Sequence, residues 1–136
     1  MNISIVYDSK TGITKKAAEA MANILKAKGH QCSAVDVQAA DPAALKRADM
    51  LFLGCWISGL FIILQQPSKP FRQFARTLPD LAGKKVALFC TYKLAVGSSL
   101  KKMAETVSSH GGRVAAIFKF RGPQPDAAFE EFAAKL

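Results

Sequence analysis

The sequence predicts an α/β domain: a three-layer, doubly wound, five-stranded parallel sheet with helices on both faces. Three observations predict it. Strand-like apolar runs alternate with amphipathic helical runs from Asn2 to Leu136. Helix-capping residues and glycine stops punctuate the connections, with no repeat, linker or low-complexity stretch between them. Met50-Leu51-Phe52-Leu53-Gly54-Cys55 is a continuous apolar run, as expected of a strand covered on both faces. Right-handed crossovers then make the sheet parallel. A length of 136 residues with half of them hydrophobic suits one domain over residues 1–136 and excludes disorder.

The elements follow in order. Ile3-Ser4-Ile5-Val6-Tyr7 places a first strand over Asn2–Tyr7. Residues 13–28 form a helix with Ala17, Met21, Ile24 and Leu25 on one stripe, and Gly29 ends it. Residues 31–37 are a second strand, and Asp41-Pro42 opens a short helix through Arg47, Asp as the cap and Pro in the first turn. Met50–Cys55 is the third strand. A turn-rich, apolar loop is expected over 56–67, followed by a helix over 68–77 with Phe71, Phe74 and Ala75 inward. Leu81-Ala82-Gly83 leads to a fourth strand over 84–90, and Gly97-Ser98-Ser99 opens a helix through Ser109 whose inward face is Leu100, Met103, Ala104 and Val107. Gly111-Gly112 stops it. Residues 114–120 are the fifth strand, and 126–136 the last helix, with Ala128, Phe129 and Phe132 inward.

Charge narrows the partners. Lys and Arg number 19 against 10 Asp and Glu, a net charge of +9, which suits nucleic acid, an anionic membrane surface or an acidic protein. The basic residues are spread from Lys10 to Lys135 with no dense run and no aromatic RNA-binding signature, which argues against nucleic acid. The longest apolar run, Leu60–Leu64, is far short of the roughly 20 residues of a membrane span, and the amino terminus has no signal-peptide pattern. Cys32, Cys55 and Cys90 include no CxxC pair and suit free thiols, so a cytoplasmic location is expected. His30 and His110 fall at the amino-terminal edge of the sheet, the wrong end for a ligand. No catalytic residue and no metal site is assigned.

Ser9-Lys10-Thr11-Gly12-Ile13-Thr14 lies between the first strand and the first helix. The first amides of a helix have no internal partner and the helix dipole favours an anion there, so this stretch is a phosphate cradle. Gly12 allows close approach, and the hydroxyls of Ser9, Thr11 and Thr14 can donate while remaining neutral. The alternative is that Ser9 or Thr11 simply caps the helix. Neither the Walker spacing nor the three-glycine dinucleotide fingerprint is present. Asp8 reads as an acceptor for nearby turn amides, and Gly54-Cys55 ends the third strand where a phosphoacceptor site would want an acid.

Residues 9–14 match the Ser/Thr-x-Thr-Gly-x-Thr loop of flavodoxins, and Phe52-Leu53-Gly54-Cys55 and Gly83–Phe89 are similar to that family's third and fourth strands. The chain thus resembles the flavodoxin family over residues 1 to 120. The resemblance implies strand order 2-1-3-4-5 and FMN at the switch point between the first and third strands. It implies that Ser9, Thr11, Gly12 and Thr14, with the amides of Lys10 and Ile13, hold the phosphate. Trp56 and Tyr92 would flank the ring, and backbone groups of Cys55, Trp56, Ile57, Ser58 and Gly59 and of Thr91 to Gly97, Lys93 included, would meet its polar edge.

The chain departs from that family in its charge: residues 54–79 and 81–104 contain no Asp or Glu. The expected function is electron transfer between redox partner proteins, the partners being acidic. Two other readings stand beside it: an FMN-dependent reductase of a small substrate, and a cofactor-free binding module. The apolar run 60–64 is expected to cover the flavin edge or to form a homodimer or partner interface, unless it is a buried turn of the core.

Overall fold

The computed structural model describes residues 1–60, 63–93 and 95–136, with 59, 60, 63 and 64 described by backbone alone. In chain order the elements are β1 (Asn2–Asp8), α1 (Ile13–Ala27), β2 (Gln31–Asp36), a 3-10 turn (Val37–Ala39), α2 (Pro42–Arg47), β3 (Met50–Leu60), β4 (Ile63–Pro67), α3 (Lys69–Arg76), β5 (Lys85–Thr91), α4 (Ser99–Ser109), β6 (Arg113–Phe120) and α5 (Ala127–Ala134). The sheet runs β2-β1-β3-β5-β6, all parallel, which is the expected order. The two edge strands show in their burial. β2 and β6 alternate between exposed and covered residues, whereas β1 and β5 are buried almost throughout.

Each face of the sheet carries its own core. Ile3, Ile5, Met50, Phe52, Ala87 and Phe89 meet α1 and α5 on one side. Val6, Leu51, Leu53, Val86 and Leu88 meet α2, α3 and α4 on the other. Phe129 of α5 stands edge-on to Phe52 and Phe118, with ring centroids 6.0 and 5.6 Å away. Burying such a ring stabilises the fold by about 1.5–3 kcal/mol. Gly54 lies where β3 crosses Phe89: a Cβ there would come within 2.3 Å of that ring.

The structure corrects two expectations. Residues 56–67 were expected as a loop, but β3 continues past the end of the parallel sheet to Leu60 and pairs antiparallel with β4, a sixth strand. Ile57 faces Pro67 and Ser58 faces Gln66, with an irregularity before Leu60. A run without polar alternation conceals strand pairing, and Pro67 is tolerated because it ends a strand that, among the described residues, pairs with β3 alone. Phe61 and Ile62, at the centre of the apolar run 60–64, lie outside the described residues. In α5, Ala128 is exposed, and Ala133 joins Phe129 in the core. Asp126 caps α5 by accepting the Phe129 amide at 3.1 Å, so the helix starts one residue later than expected; the buried face is set by Phe129 and Ala133, one turn apart, and 128 lies beside that face in the first turn. No helix among the described residues is long and apolar enough to cross a membrane.

Candidate functional site

β1 ends at Asp8 and α1 begins at Ile13, leaving a short turn at the carboxyl edge of the sheet. Gly12 is the N-cap residue of α1, with φ of 89° and ψ of −5°, a left-handed conformation that a glycine adopts without strain. Its amide donates to Ser9 Oγ at 3.1 Å. The expected alternative, a hydroxyl capping the helix, is not what forms: α1 has no side-chain cap bond. The first helical bond runs from the Lys16 amide to the Gly12 carbonyl at 3.0 Å. Among the described residues, the amides of Ile13, Thr14 and Lys15 therefore meet no protein acceptor. They point a positive dipole at the space beyond the turn.

Register carries this end of the sheet into one site. Asp8 aligns with Cys55, and Trp56 with Thr91. Thr14 Oγ1 lies 2.6 Å from Thr91 Oγ1, both residues buried, which fastens α1 to the end of β5. Trp56 Nε1 donates to Asp8 Oδ2 at 3.0 Å, so Asp8 holds an indole rather than turn amides. Lys10 Nζ lies over the Trp56 ring, 5.0 Å from its centroid. Across the site the Tyr92 amide donates to the Phe120 carbonyl at 3.1 Å, and the Arg121 guanidinium lies 5.4 Å from the Tyr92 ring centroid.

These residues surround a cleft of about 350 Å³. Its lining includes Lys10, Thr11, Ile13, Thr14, Trp56, Ile57, Thr91, Tyr92 and Lys93, all singled out in the sequence. Ala95, within the expected 91–97 segment, lines it too, while Gln65 and Arg121 also line it and were not foreseen. Gln65 arrives on β4, whose pairing was missed; Arg121 is the first residue after β6, and the edge position of that strand's end was a usable signal. Other expected site residues stand just outside. Ser58 Oγ donates to the Gln66 carbonyl at 3.2 Å within the hairpin, and Gly59 continues β3. Gly97, at φ 58°, passes so close to β4 that a Cβ would come 2.9 Å from Gln65 Cβ.

Cys55 turns away from the cleft into the other core, with its Sγ 4.0 Å from Met103 Sδ. Burial pushes the thiols of Cys55 and Cys90 up to about 12, and that of Cys32 up to about 11. They remain protonated, small apolar groups at neutral pH.

The arrangement suits a ligand with an anionic end and a flat end. Open amides, the Thr11 hydroxyl and Lys10 match a phosphate ester. The indole and phenol walls offer area for a planar ring.

Relatives agree with this geometry. The Flavodoxin domain family model matches residues 4–111. A flavodoxin of Clostridium beijerinckii is 30% identical over 137 residues, covering 98% of each chain. One from Megasphaera elsdenii is 29% identical over 112 residues, 82% of this chain and 80% of its own. The solution structure of two-electron reduced Megasphaera elsdenii flavodoxin superposes with a TM-score of 0.79 at 26% identity, over 98% of this chain and 99% of the other. With the strand order, the hydroxyl-rich turn and these relatives in agreement, the chain belongs to the flavodoxin family.

Proposed function

We propose that the chain binds FMN in the cleft at the carboxyl ends of β1, β3 and β5 and passes electrons between proteins. The observation that carries this reading is the juxtaposition of unpartnered α1 amides with two aromatic walls in one cleft of suitable size. When bound, FMN supplies the one- and two-electron chemistry. The protein supplies the rest. The amides of Ile13, Thr14 and Lys15, with Thr11 and Lys10, hold the phosphate. Trp56 and Tyr92 bound the ring, and the Thr14–Thr91 bond keeps the two ends at a fixed distance.

Acidic proteins are the partners this reading names. Its support is the net charge of +9 and the absence of Asp and Glu from 54–79 and 81–104, with Lys10, Lys93 and Arg121 beside the cleft. A site in the cytoplasm accords with three free cysteines. The apolar run 60–64 would contribute a contact with a partner or a second copy, on the strength of its composition. Replacing Phe61 and Ile62 by Ser and measuring self-association and melting checks that part.

An absorbance spectrum of the purified protein, before and after dithionite, tests the reading. Flavin bands that bleach on reduction support it. NAD(P)H turnover of a small substrate without a partner protein would favour a reductase, and a protein that takes up no flavin would favour a cofactor-free binding module.

A further inference from the structure

Among the described residues Asp8 is the one buried carboxylate, and the electron-carrier role leaves it unexplained. It is only 7% exposed, yet among the described residues no Lys or Arg pairs with it. Burying a carboxylate without a cation is costly unless a good donor faces it. The donor is the indole N–H of Trp56, at 3.0 Å, from the only Trp in the chain. Register explains why they meet. Asp8 is the last residue of β1 and aligns with Cys55, so Trp56, the next residue of β3, stands beside the Asp8 carboxylate.

The rest of Trp56 is also fixed. Its carbonyl accepts the Ser68 amide at 3.2 Å, and Lys10 covers one face of the ring. The indole is thus held at its backbone, along one face and at its nitrogen. We propose that Asp8 is a positioning residue that locks the Trp56 ring into one orientation before ligand arrives, so that the ring end of the cleft is preorganised. A side chain with two rotatable bonds would otherwise lose rotamer freedom on binding, and holding it in advance removes that cost. Asp8 is not among the residues that line the cleft. It acts through Trp56. The consequence for flavin affinity rests on the FMN reading given above, whereas the lock itself is a property of the free protein.

The single Trp makes the lock measurable without cofactor. In flavin-free protein the indole N–H gives one amide-type NMR resonance, and its hydrogen exchange reports whether the bond to Asp8 is present. In Asp8→Leu that protection is expected to fall by about tenfold or more, while Asp8→Asn, which keeps an acceptor, retains most of it. FMN dissociation constants should follow: about tenfold weaker for Asp8→Leu, within about threefold of wild type for Asp8→Asn. In a Trp56→Phe background, Asp8→Leu should change the constant hardly at all, because the interaction is already gone. Unchanged indole protection in folded Asp8→Leu overturns the lock, as does an equal loss of FMN affinity in the Trp56→Phe background. A wild-type protein that binds no FMN would instead overturn the cofactor reading, and the indole exchange in free protein would still decide the lock either way.

Discussion

The two ends of the cleft are built in different ways. The end proposed for the phosphate comes from one continuous piece of chain, β1, the turn and α1, and offers backbone amides left open by helix geometry. The end proposed for the ring is assembled from β3, β4, the segment after β5 and the residue after β6, and offers side chains held by distant partners. One end depends on local backbone conformation and the other on packing that spans the chain. Changes at the two ends should therefore separate affinity for the phosphate from affinity for the ring.

The largest separation is expected at Gly12. Its Cβ would meet nothing within 4 Å, so a side chain there is penalised by backbone conformation alone. Gly12→Val, forced out of a left-handed φ of 89°, should weaken FMN by about 10- to 100-fold and leave riboflavin, which lacks the phosphate, nearly unchanged. Parallel titrations of the variant with both ligands check this. Equal weakening of both would mean that the two ends are not separable.

Gly54→Ala acts below the ring end. The added methyl would press on Phe89, which lies 6.4 Å from Phe120, the residue whose carbonyl fixes Tyr92. Overpacking of this kind should destabilise the fold by about 1–3 kcal/mol and weaken FMN and riboflavin to the same degree. Urea unfolding and the same pair of titrations are the measurements. A loss confined to FMN would place the ring end under local control after all.

The contrast also explains how much of the molecule could be read in advance. The turn at 9–14 was legible because strand, hydroxyls, glycine and helix start are adjacent in sequence; alternation of elements pointed to a parallel sheet, and the strand order followed from the resemblance to flavodoxins. The β3–β4 hairpin was not, since the apolar run around residues 57–65 carries no period that distinguishes a pairing strand from a buried loop. Gln65 went unseen with it. The Asp8–Trp56 bond joins residues 48 apart, and nothing local in either stretch announces it.

The thiols behind the ring end supply a smaller test. Burial raises Cys55 and Cys90 from 9.0 to about 12, so the unfolded chain releases these protons first as pH rises. Their contribution to stability is fully present below pH 9 and is lost between about pH 9 and 12. Unfolding free energy should be flat with respect to these groups at pH 7–8 and decline above pH 9, less steeply in a Cys55→Ala, Cys90→Ala variant. Alkylation of both thiols at pH 8 should be slow with or without FMN, because neither faces the cleft.

The smallest effect concerns charge at the mouth. Lys93 and Arg121 are exposed, so toward a bound FMN each would act only through solvent-screened attraction. Lys93→Gln and Arg121→Gln should each lower the second one-electron potential by a few tens of millivolts at low ionic strength, and by less in high salt. Potentiometry at two salt concentrations reads this directly. A potential unmoved by either variant or by salt would assign its control to the aromatic contacts.

The open amides at the start of α1 are expected to hold the phosphate of FMN. Flavin-free wild-type protein titrated with FMN and with riboflavin, followed by quenching of Trp56 fluorescence, tests this in one experiment. Saturable quenching by both is expected, with FMN bound at least about 100-fold more tightly, as two or three charge-assisted bonds from the start of α1 would give. Riboflavin binding as tightly as FMN would contradict it.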